Sequence, residues 1–196
     1  MPVRRIWVVR HGESEANAGL RTAEPGAVVL TSAGHRQAAA FAALVDEKPT
    51  LIVTSPFIRT AQTAAPLRAR FWDVAHEEWP VEEFTYLAPD RCAHTTYDER
   101  RPHIEAYWTK CDPHLTDGAR TESFAAMLTR ARSALDRFSG VPPGLTVMFS
   151  HAQFMRAMRL IARYPEAAPP ELMAAFVEDA RRDPIANCQS IIFERS

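Results

Sequence analysis

The chain of 196 residues is long enough for one large domain with a substantial hydrophobic core, and we expect a single domain over residues 1–196. Its formal net charge of -1 argues against nucleic acid or an acidic membrane surface as a partner. Three cysteines without a Cys-x-x-Cys pair predict neither a disulfide framework nor a zinc site. Because no signal-peptide core and no membrane-spanning apolar run occur, we expect a soluble cytoplasmic protein.

The first half of the chain alternates short apolar runs with helical patterns. Residues 3–10 predict a buried strand that is followed by a polar loop. Thr31 is a natural N-cap for a helix whose apolar residues recur at helical spacing until Pro49 ends it. Residues 51–55 predict a second buried strand, and a second helix begins at about Arg59.

The second half continues this alternation after a less regular stretch. Residues 80–87 predict a third strand or an extended segment. Residues 88–118 are rich in Arg and aromatic side chains and predict an insertion, or lid, with a short helix near 98–110. The remaining predicted elements are a helix at 123–138, a strand at 145–150, helices at 152–163 and about 169–180, and a strand at 190–193. This order predicts an α/β fold, a three-layer α/β/α sandwich with a mostly parallel sheet and helices on both faces.

Basic side chains follow several of these strands. The first strand ends in Arg10 and His11, the second is followed by Arg59, and a later strand ends at His151. The carboxyl ends of parallel strands meet at one edge of a sheet, where open α/β sheets bind ligands. A cluster of cations needs an anionic partner, and a phosphate group can use several donors around its oxygens. We therefore hypothesise that His11 attacks phosphorus.

Four ordered blocks carry a family resemblance over nearly the whole chain. They are Arg10-His11-Gly12-Glu13, Leu30-Thr31-x-x-Gly34-x-x-Gln37-Ala38, Ser55-Pro56-x-x-Arg59-Thr60-x-x-Thr63-Ala64, and Ser150-His151. Each block lies at a predicted strand end or helix start. Together they resemble the histidine phosphatase superfamily, which contains the cofactor-dependent phosphoglycerate mutases and related phosphatases. The resemblance implies the phosphoglycerate mutase-like fold.

The resemblance also implies catalytic roles. His11 is expected to be the nucleophile that forms a phosphohistidine, since a neutral imidazole can attack near neutral pH. Arg10, Arg59 and His151 are expected to hold the phosphoryl group and balance its charge. No metal and no cofactor is expected, because this mechanism needs neither.

Other positions are expected to contact the substrate. Asn17 and Ser14 match family positions that contact phosphate or substrate. Ala152 and Gln153 follow the second histidine, where many relatives carry Gly. Gln153 either donates to the substrate or faces solvent, and the sequence favours neither alternative.

A proton donor is needed because an alkoxide is a poor leaving group. The family supplies an acidic residue that is followed by an aromatic residue and Gly, and Glu83 fits this pattern with Leu87 in place of the Gly. Glu82 is adjacent and is expected to point the other way on an extended chain. We favour Glu83 and keep Glu82 as the alternative.

The resemblance leaves the reaction and the substrate open. We favour a hydrolase of the histidine acid phosphatase type acting on a small phosphorylated metabolite, because the segment 18–24 does not look like that of the mutases. A phosphoglycerate mutase-like phosphotransferase and a non-catalytic phosphate-binding module are the alternatives. Basic residues of the insertion are expected to meet a second acidic group, and aromatic residues to line an apolar wall: Arg91, His94, Arg100, Arg101 and His103, with Tyr86, Tyr97, Tyr107 and Trp108. The oligomeric state is not readable from the sequence.

Overall fold

A computed structural model describes residues 3–22 and 24–195. Its strands are β1 (Arg4–Arg10), β2 (Leu51–Thr54), β3 (His76–Glu78), β4 (Gly144–Ser150) and β5 (Ser190–Arg195). They form one sheet in the order β3-β2-β4-β1-β5. Strands β1 to β4 run parallel to one another, and β5 pairs antiparallel with β1 at the edge of the sheet. The predicted α/β sandwich with a mostly parallel sheet is therefore confirmed.

The helices cover both faces of this sheet. They are α1 (Ser32–Leu44), α2 (Ile58–Arg70), α3 (Pro89–Cys92), α4 (Tyr97–Lys110), α5 (Phe124–Arg137), α6 (Ala152–Arg163) and α7 (Pro169–Arg182), with a 3-10 turn at Pro25–Ala27. No helix in the described ranges is long and apolar enough to cross a membrane.

The side chains of the buried strands β1, β2 and β4 alternate between two hydrophobic clusters, as the period of a β-strand requires. On β1, Ile6 and Val8 pack with apolar residues of α5, α6 and α7, whereas Val9 packs on the other face with α1 and α2. On β2, Val53 belongs to the first cluster and Ile52 to the second. These two clusters are the interfaces between the three layers of the sandwich.

The predicted helix starts coincide with side-chain caps. The Thr31 hydroxyl accepts from the N–H of Gly34 at the start of α1, and the Ser123 hydroxyl accepts from Ala126 at the start of α5. The helix that was expected to be short, near 98–110, has 14 residues. It begins after Thr96, which forms a reciprocal capping box with Glu99. It extends over Tyr97–Lys110.

Residues 80–87 take the extended alternative and pair with no strand of the described sheet, since the third strand is β3, which precedes them. Side chains from neighbouring elements hold this segment instead. The Ser150 hydroxyl donates to the carbonyl of Val81 over 2.6 Å. Arg130 Nη1 donates to the carbonyls of Pro80 and Glu82 over 3.0 and 2.9 Å. The segment therefore lies across the carboxyl end of β4 without joining the sheet.

Candidate active site

The predicted site residues meet at the carboxyl edge of the sheet. Arg10 ends β1 beside Ser150, the last residue of β4. His151 is the N-cap of α6, and Arg59 lies in the first turn of α2. A cleft of about 230 Å³ opens at this edge. Its lining includes most of the predicted residues: Arg10, His11, Ser14, Asn17, Arg59, Glu83 and Gln153.

Two predicted residues lie behind the lining. His151 is fully buried, and its ring centroid lies 5.1 Å from that of His11. Ala152 packs against the hydrophobic core of the sandwich and does not face the cleft. The structure therefore does not bring Ala152 to the cleft with the other predicted residues, and its role in substrate binding stays a prediction.

Two contacts assign the tautomer of His11. Nδ1 lies 2.7 Å from the carbonyl oxygen of Gly12, which can only accept, so Nδ1 carries the proton. Arg59 Nε donates to His11 Nε2 over 3.1 Å, so Nε2 presents its lone pair. Burial, together with the positive charges of Arg59 and Arg10, lowers the pKa of His11 well below its ordinary value of 6.5. His11 is thus a neutral imidazole with a defined nucleophilic nitrogen.

The loop after His11 is held by residues of the sequence blocks that do not reach the cleft. The N–H of Gly12 donates to Thr63 Oγ1 over 3.0 Å, and the N–H of Glu13 donates to Gln37 Oε1 over 2.8 Å. A Cβ on Gly12 would lie 2.6 Å from the carbonyl oxygen of Gly34. A Cβ on Gly34 would collide with the carbonyl oxygen of Glu13. The two glycines let the loop and the start of α1 touch through their backbones.

Arg59 is held at the back of the cleft with 7% of its surface exposed. Its Nη1 donates to the carbonyl of Pro25 over 2.6 Å, and its guanidinium carbon lies 4.8 Å from the ring centroid of Phe57. Burial lowers the pKa of Arg59 to about 10, so it remains charged at neutral pH. A fixed positive charge therefore sits beside the His11 ring.

Two buried nitrogens of the site have no hydrogen-bond partner among the described residues: Arg10 Nε and His151 Nδ1. Arg10 Nη1 donates to the carbonyl of Ile185 over 2.6 Å, which fixes the guanidinium. His151 Nε2 lies 2.8 Å from Ser55 Oγ. Unpaired buried polar nitrogens are costly, and an anion bound between His11 and these groups would provide a partner.

Glu83 faces the same end of the cleft from the extended segment. Its Oε1 accepts hydrogen bonds of 3.1 and 3.3 Å from the N–H groups of Gln153 and Phe154, in the first turn of α6. Burial raises the pKa of Glu83 above its ordinary value of 4.5, and the charges of Arg59 and Arg10 oppose that rise. A partly buried carboxyl with a raised pKa is suited to act as a proton donor.

Glu82 points away from the cleft, toward α5. Its Oε2 lies 3.6 Å from Arg130 Nη1 and does not line the cleft. Arg130 also forms a two-pronged ion pair with Glu122, with distances of 3.0 and 2.7 Å. The adjacent carboxyls are thus separated, one in the cleft and one in a structural ion-pair cluster, as the alternation of an extended chain requires.

Asn17 and Ser14 form a small network at the mouth of the cleft. Asn17 Oδ1 accepts from the N–H and the hydroxyl of Ser14 over 3.2 and 3.1 Å. It accepts a third bond, of 3.2 Å, from Asn187 Nδ2, which also donates to the carbonyl of His11 over 2.9 Å. Because Oδ1 is occupied by these donors, the Nδ2 of Asn17 is the donor left to a ligand.

The sequence analysis did not predict Asn187 as a site residue, although the order of the strands gives a weak indication of it. It lies in the connection between α7 and β5, and β5 begins at the edge where β1 ends because the two strands are antiparallel. An antiparallel edge strand therefore brings its preceding loop to His11.

The residues expected to set specificity divide into two groups. Tyr86, Tyr97 and Arg100 line the cleft. The others lie elsewhere: Arg91 pairs with Asp117 and Arg101 with Asp98, Tyr107 and Trp108 pack in an aromatic cluster, His103 lines a separate hollow, and His94 is exposed. In the described part of the chain, no group of three His, Cys, Asp or Glu side chains is placed to hold a metal ion.

Comparison with known families decides the relationship. The family model described as "Histidine phosphatase superfamily (branch 1)" matches residues 6–179. The chain belongs to the histidine phosphatase superfamily. Within curated proteins, it is 29% identical over 136 residues to an uncharacterised protein of Mycobacterium tuberculosis, a match covering 68% of this chain and 65% of that protein. The chain thus spans about two thirds of the length of this relative.

Several solved structures share the fold of this chain at low sequence identity. A mycobacterial structure named "Mycobacterial hydrolase 1" has a TM-score of 0.74 at 19% identity, covering 98% of this chain and 92% of that one. The mycobacterial glucosyl-3-phosphoglycerate phosphatase has a TM-score of 0.72 at 20% identity, covering 98% and 90%. A phosphoserine phosphatase of Entamoeba histolytica has a TM-score of 0.73 at 19% identity, covering 97% and 90%. These similarities concern the fold.

Proposed function

We propose that this member of the superfamily is a metal-independent phosphomonoesterase that works through a phosphohistidine at His11. The observation that carries the proposal is the neutral His11 imidazole in the lining of the cleft, whose unprotonated Nε2 accepts a hydrogen bond from Arg59. A nucleophile with a defined lone pair, next to fixed cations, matches the needs of phosphoryl transfer. The expected substrate is a small phosphorylated metabolite.

In the first step, His11 Nε2 attacks phosphorus and the bond to the leaving oxygen breaks. Arg10, Arg59 and His151 stabilise the charge on the non-bridging oxygens. Glu83 gives its proton to the leaving oxygen, so the product departs as a neutral alcohol. The products of this step are phospho-His11, the alcohol and the Glu83 carboxylate.

In the second step, water attacks the phosphohistidine. The Glu83 carboxylate takes a proton from this water, the P–N bond breaks, and inorganic phosphate leaves with His11 neutral again. Asn17 and Tyr97 are exposed at the cleft mouth, which supports access of water and hydrolysis rather than transfer to a second substrate.

The test is release of phosphate from p-nitrophenyl phosphate, together with trapping of an acid-labile phosphoenzyme. We expect the wild type to give both and His11→Asn to lower kcat/KM by about a thousandfold or more. His35→Asn changes an exposed histidine of α1 and is the matched control, with unchanged activity expected. Absence of both turnover and phosphoenzyme in the wild type would overturn the proposal.

A further inference from the structure

The cleft has two chemically different parts. At one end lie the His11 imidazole, the cations and the Glu83 carboxyl described above. Away from that end, the lining comes from Val28, the extended segment and α4, and it is mostly apolar. We call this part the far wall, and it consists of Val28, Phe84, Tyr86, Leu87, Tyr97 and Ile104.

Some polar groups near the far wall are engaged within the protein. Thr85 Oγ1 donates to the carbonyl of Glu83 over 3.3 Å. Arg100 Nη1 donates to the carbonyl of Thr95 over 2.8 Å, which ties the start of α4 to the preceding turn. A polyhydroxyl ligand placed against the apolar side chains of this wall would lose water and gain few hydrogen bonds in return, which disfavours its binding.

The far wall is preformed. The ring centroid of Tyr86 lies 5.1 Å from that of Phe84 and 4.7 Å from that of Tyr107. Trp108 lies behind them, with its ring centroid 6.2 Å from that of Phe84 and 5.5 Å from that of Tyr86. Interlocked aromatic rings resist rearrangement, so the wall offers a fixed apolar surface rather than an adaptable polar one.

The charge of the lining excludes another class of substrate. Glu83 is the one carboxylate in the lining formed by the described residues, and it lies at the phosphate end. An alcohol that carries an ammonium group would therefore find no counter-charge on the far wall, while Arg100 would repel it.

We propose that the preferred substrates are phosphomonoesters whose alcohol carries an apolar body, rather than phosphorylated sugars or amino alcohols. The proposal rests on the proposed phosphatase function and adds the chemical class of the leaving alcohol. The phosphate would lie between His11 and the cations, and the apolar body would lie on the far wall. Burying that body removes apolar surface from water in both partners.

The experiment compares cyclohexylmethyl phosphate with glucose 6-phosphate, which are both primary phosphate esters next to a six-membered ring. We expect kcat/KM to be about tenfold or more higher for the cyclohexyl compound, since complementary apolar contacts discriminate on this scale. Phosphoethanolamine should be the poorest of the three. Equal values, or a preference for glucose 6-phosphate or phosphoethanolamine, would overturn the inference.

Variants locate the preference on the far wall. Ile104→Asn should reduce the ratio of the two kcat/KM values about fivefold or more, because it replaces apolar contact with an amide. Tyr97→Ser, at an exposed position of α4, provides a second test, because this change should leave the packing of the core unaltered. Leu44→Asn changes an exposed leucine in the last turn of α1 and should leave the ratio as it is in the wild type. An unchanged ratio in both wall variants would also overturn the inference.

The outcome separates this inference from the proposed function. If p-nitrophenyl phosphate yields a phosphoenzyme and turnover while the two ring compounds are hydrolysed equally, the far-wall inference is wrong and the phosphatase stands. If no substrate yields a phosphoenzyme or turnover, the phosphatase function itself is wrong.

Discussion

Arg59 Nε donates a hydrogen bond of 3.1 Å to His11 Nε2, the atom that we propose attacks phosphorus. The guanidinium thus occupies the nucleophile's lone pair when no phosphate is bound. A phosphoryl group would draw the guanidinium to its own oxygens and free the lone pair. The same positive charge helps to keep the imidazole neutral, because it lowers the pKa of His11.

Replacing Arg59 by Met should change the pH profile as well as the rate. Loss of the positive charge raises the pKa of His11, so the acid limb of kcat/KM should move to higher pH. We expect kcat/KM itself to fall about a hundredfold through loss of oxyanion stabilisation. Arg68→Met, at an exposed position of the same helix, is the control. An acid limb that stays in place would show that Arg59 does not set the ionisation of His11.

Glu83→Gln should affect substrates according to their leaving group. The value of kcat/KM, which reports formation of the phosphohistidine, should fall about a hundredfold to ten-thousandfold for an alkyl phosphate. It should fall less than about tenfold for p-nitrophenyl phosphate, because p-nitrophenolate leaves without a proton. Since Glu83 acts protonated and burial raises its pKa, the wild-type rate on alkyl phosphates should fall as pH rises through that pKa. This alkaline limb should be absent in the variant.

Glu82→Gln distinguishes the two adjacent carboxyls. Glu82 contacts Arg130 and not the cleft, so this variant should keep the wild-type dependence on the leaving group. If Glu82→Gln rather than Glu83→Gln loses activity on alkyl phosphates selectively, the assignment of the acid is reversed.

The buried histidines should make folding sensitive to acid. Burial lowers the pKa values of His11 and His151 well below 6.5, so the unfolded chain binds more protons below that pH. The free energy of unfolding should therefore fall as pH drops below about 6.5, by up to about 1.4 kcal/mol per pH unit for each histidine. Glu83 opposes this trend, because its raised pKa favours the folded state as pH falls. We expect the two imidazoles to outweigh this single carboxyl.

Chemical denaturation between pH 7.5 and 5.5 measures this effect. The slope of the free energy of unfolding against pH should be shallower in His151→Gln, in which one of the two imidazoles is absent. A wild-type free energy of unfolding that does not decrease across this range would contradict the burial of neutral histidines.

Gly34→Ala should disturb the nucleophile loop from outside the cleft. The added Cβ collides with the backbone carbonyl of Glu13, so the loop after His11 must shift. We expect the free energy of unfolding to fall by about 2 kcal/mol or more, with loss of phosphatase activity. Gly140→Ala is the matched control, since its Cβ would lie 3.6 Å from the carbonyl of Arg137, an ordinary contact. Equal stability of the two variants would be inconsistent with the close approach at Gly34.

Arg130→Met should loosen the extended segment that carries Glu83. The change removes the ion pair with Glu122 and the donors to Pro80 and Glu82. We expect a loss of about 2 kcal/mol in the free energy of unfolding, because a mostly buried carboxylate loses its partner. Activity on alkyl phosphates should fall more than activity on p-nitrophenyl phosphate. Arg36→Met, at an exposed position of α1, should change neither.

Most of the fold was predictable because local signals agreed with the long-range arrangement. Thr31 and Ser123 cap the helices that they were expected to begin. His11 and Arg59 converge because parallel strands end at one edge. By contrast, β3 is a polar, exposed His-Glu-Glu stretch at the edge of the described sheet, where it pairs with β2. It has no alternation of apolar residues from which a strand could be predicted.

The parts of the site that were not predictable depend on packing between distant segments. Which face α4 turns to the cleft is set by its contacts with the aromatic cluster, so the sequence did not separate Arg100 from Arg101. Asn187 reaches His11 across 176 positions of the chain. The tautomer of His11 follows from two contacts that exist only in the folded protein.

His11 and Glu83, the proposed nucleophile and acid, are carried by two different kinds of segment. His11 follows the interior strand β1, which pairs on both sides, whereas Glu83 lies on a segment without a strand partner whose carbonyls are held by Ser150 and Arg130. A change that displaces this segment, such as loss of Arg130, would therefore remove the proposed acid and leave His11 in place. Such a sample should still transfer phosphate from nitrophenyl esters to His11 while it has lost activity on alkyl esters. An assay with a chromogenic substrate alone would then overstate the activity that remains toward alkyl phosphates.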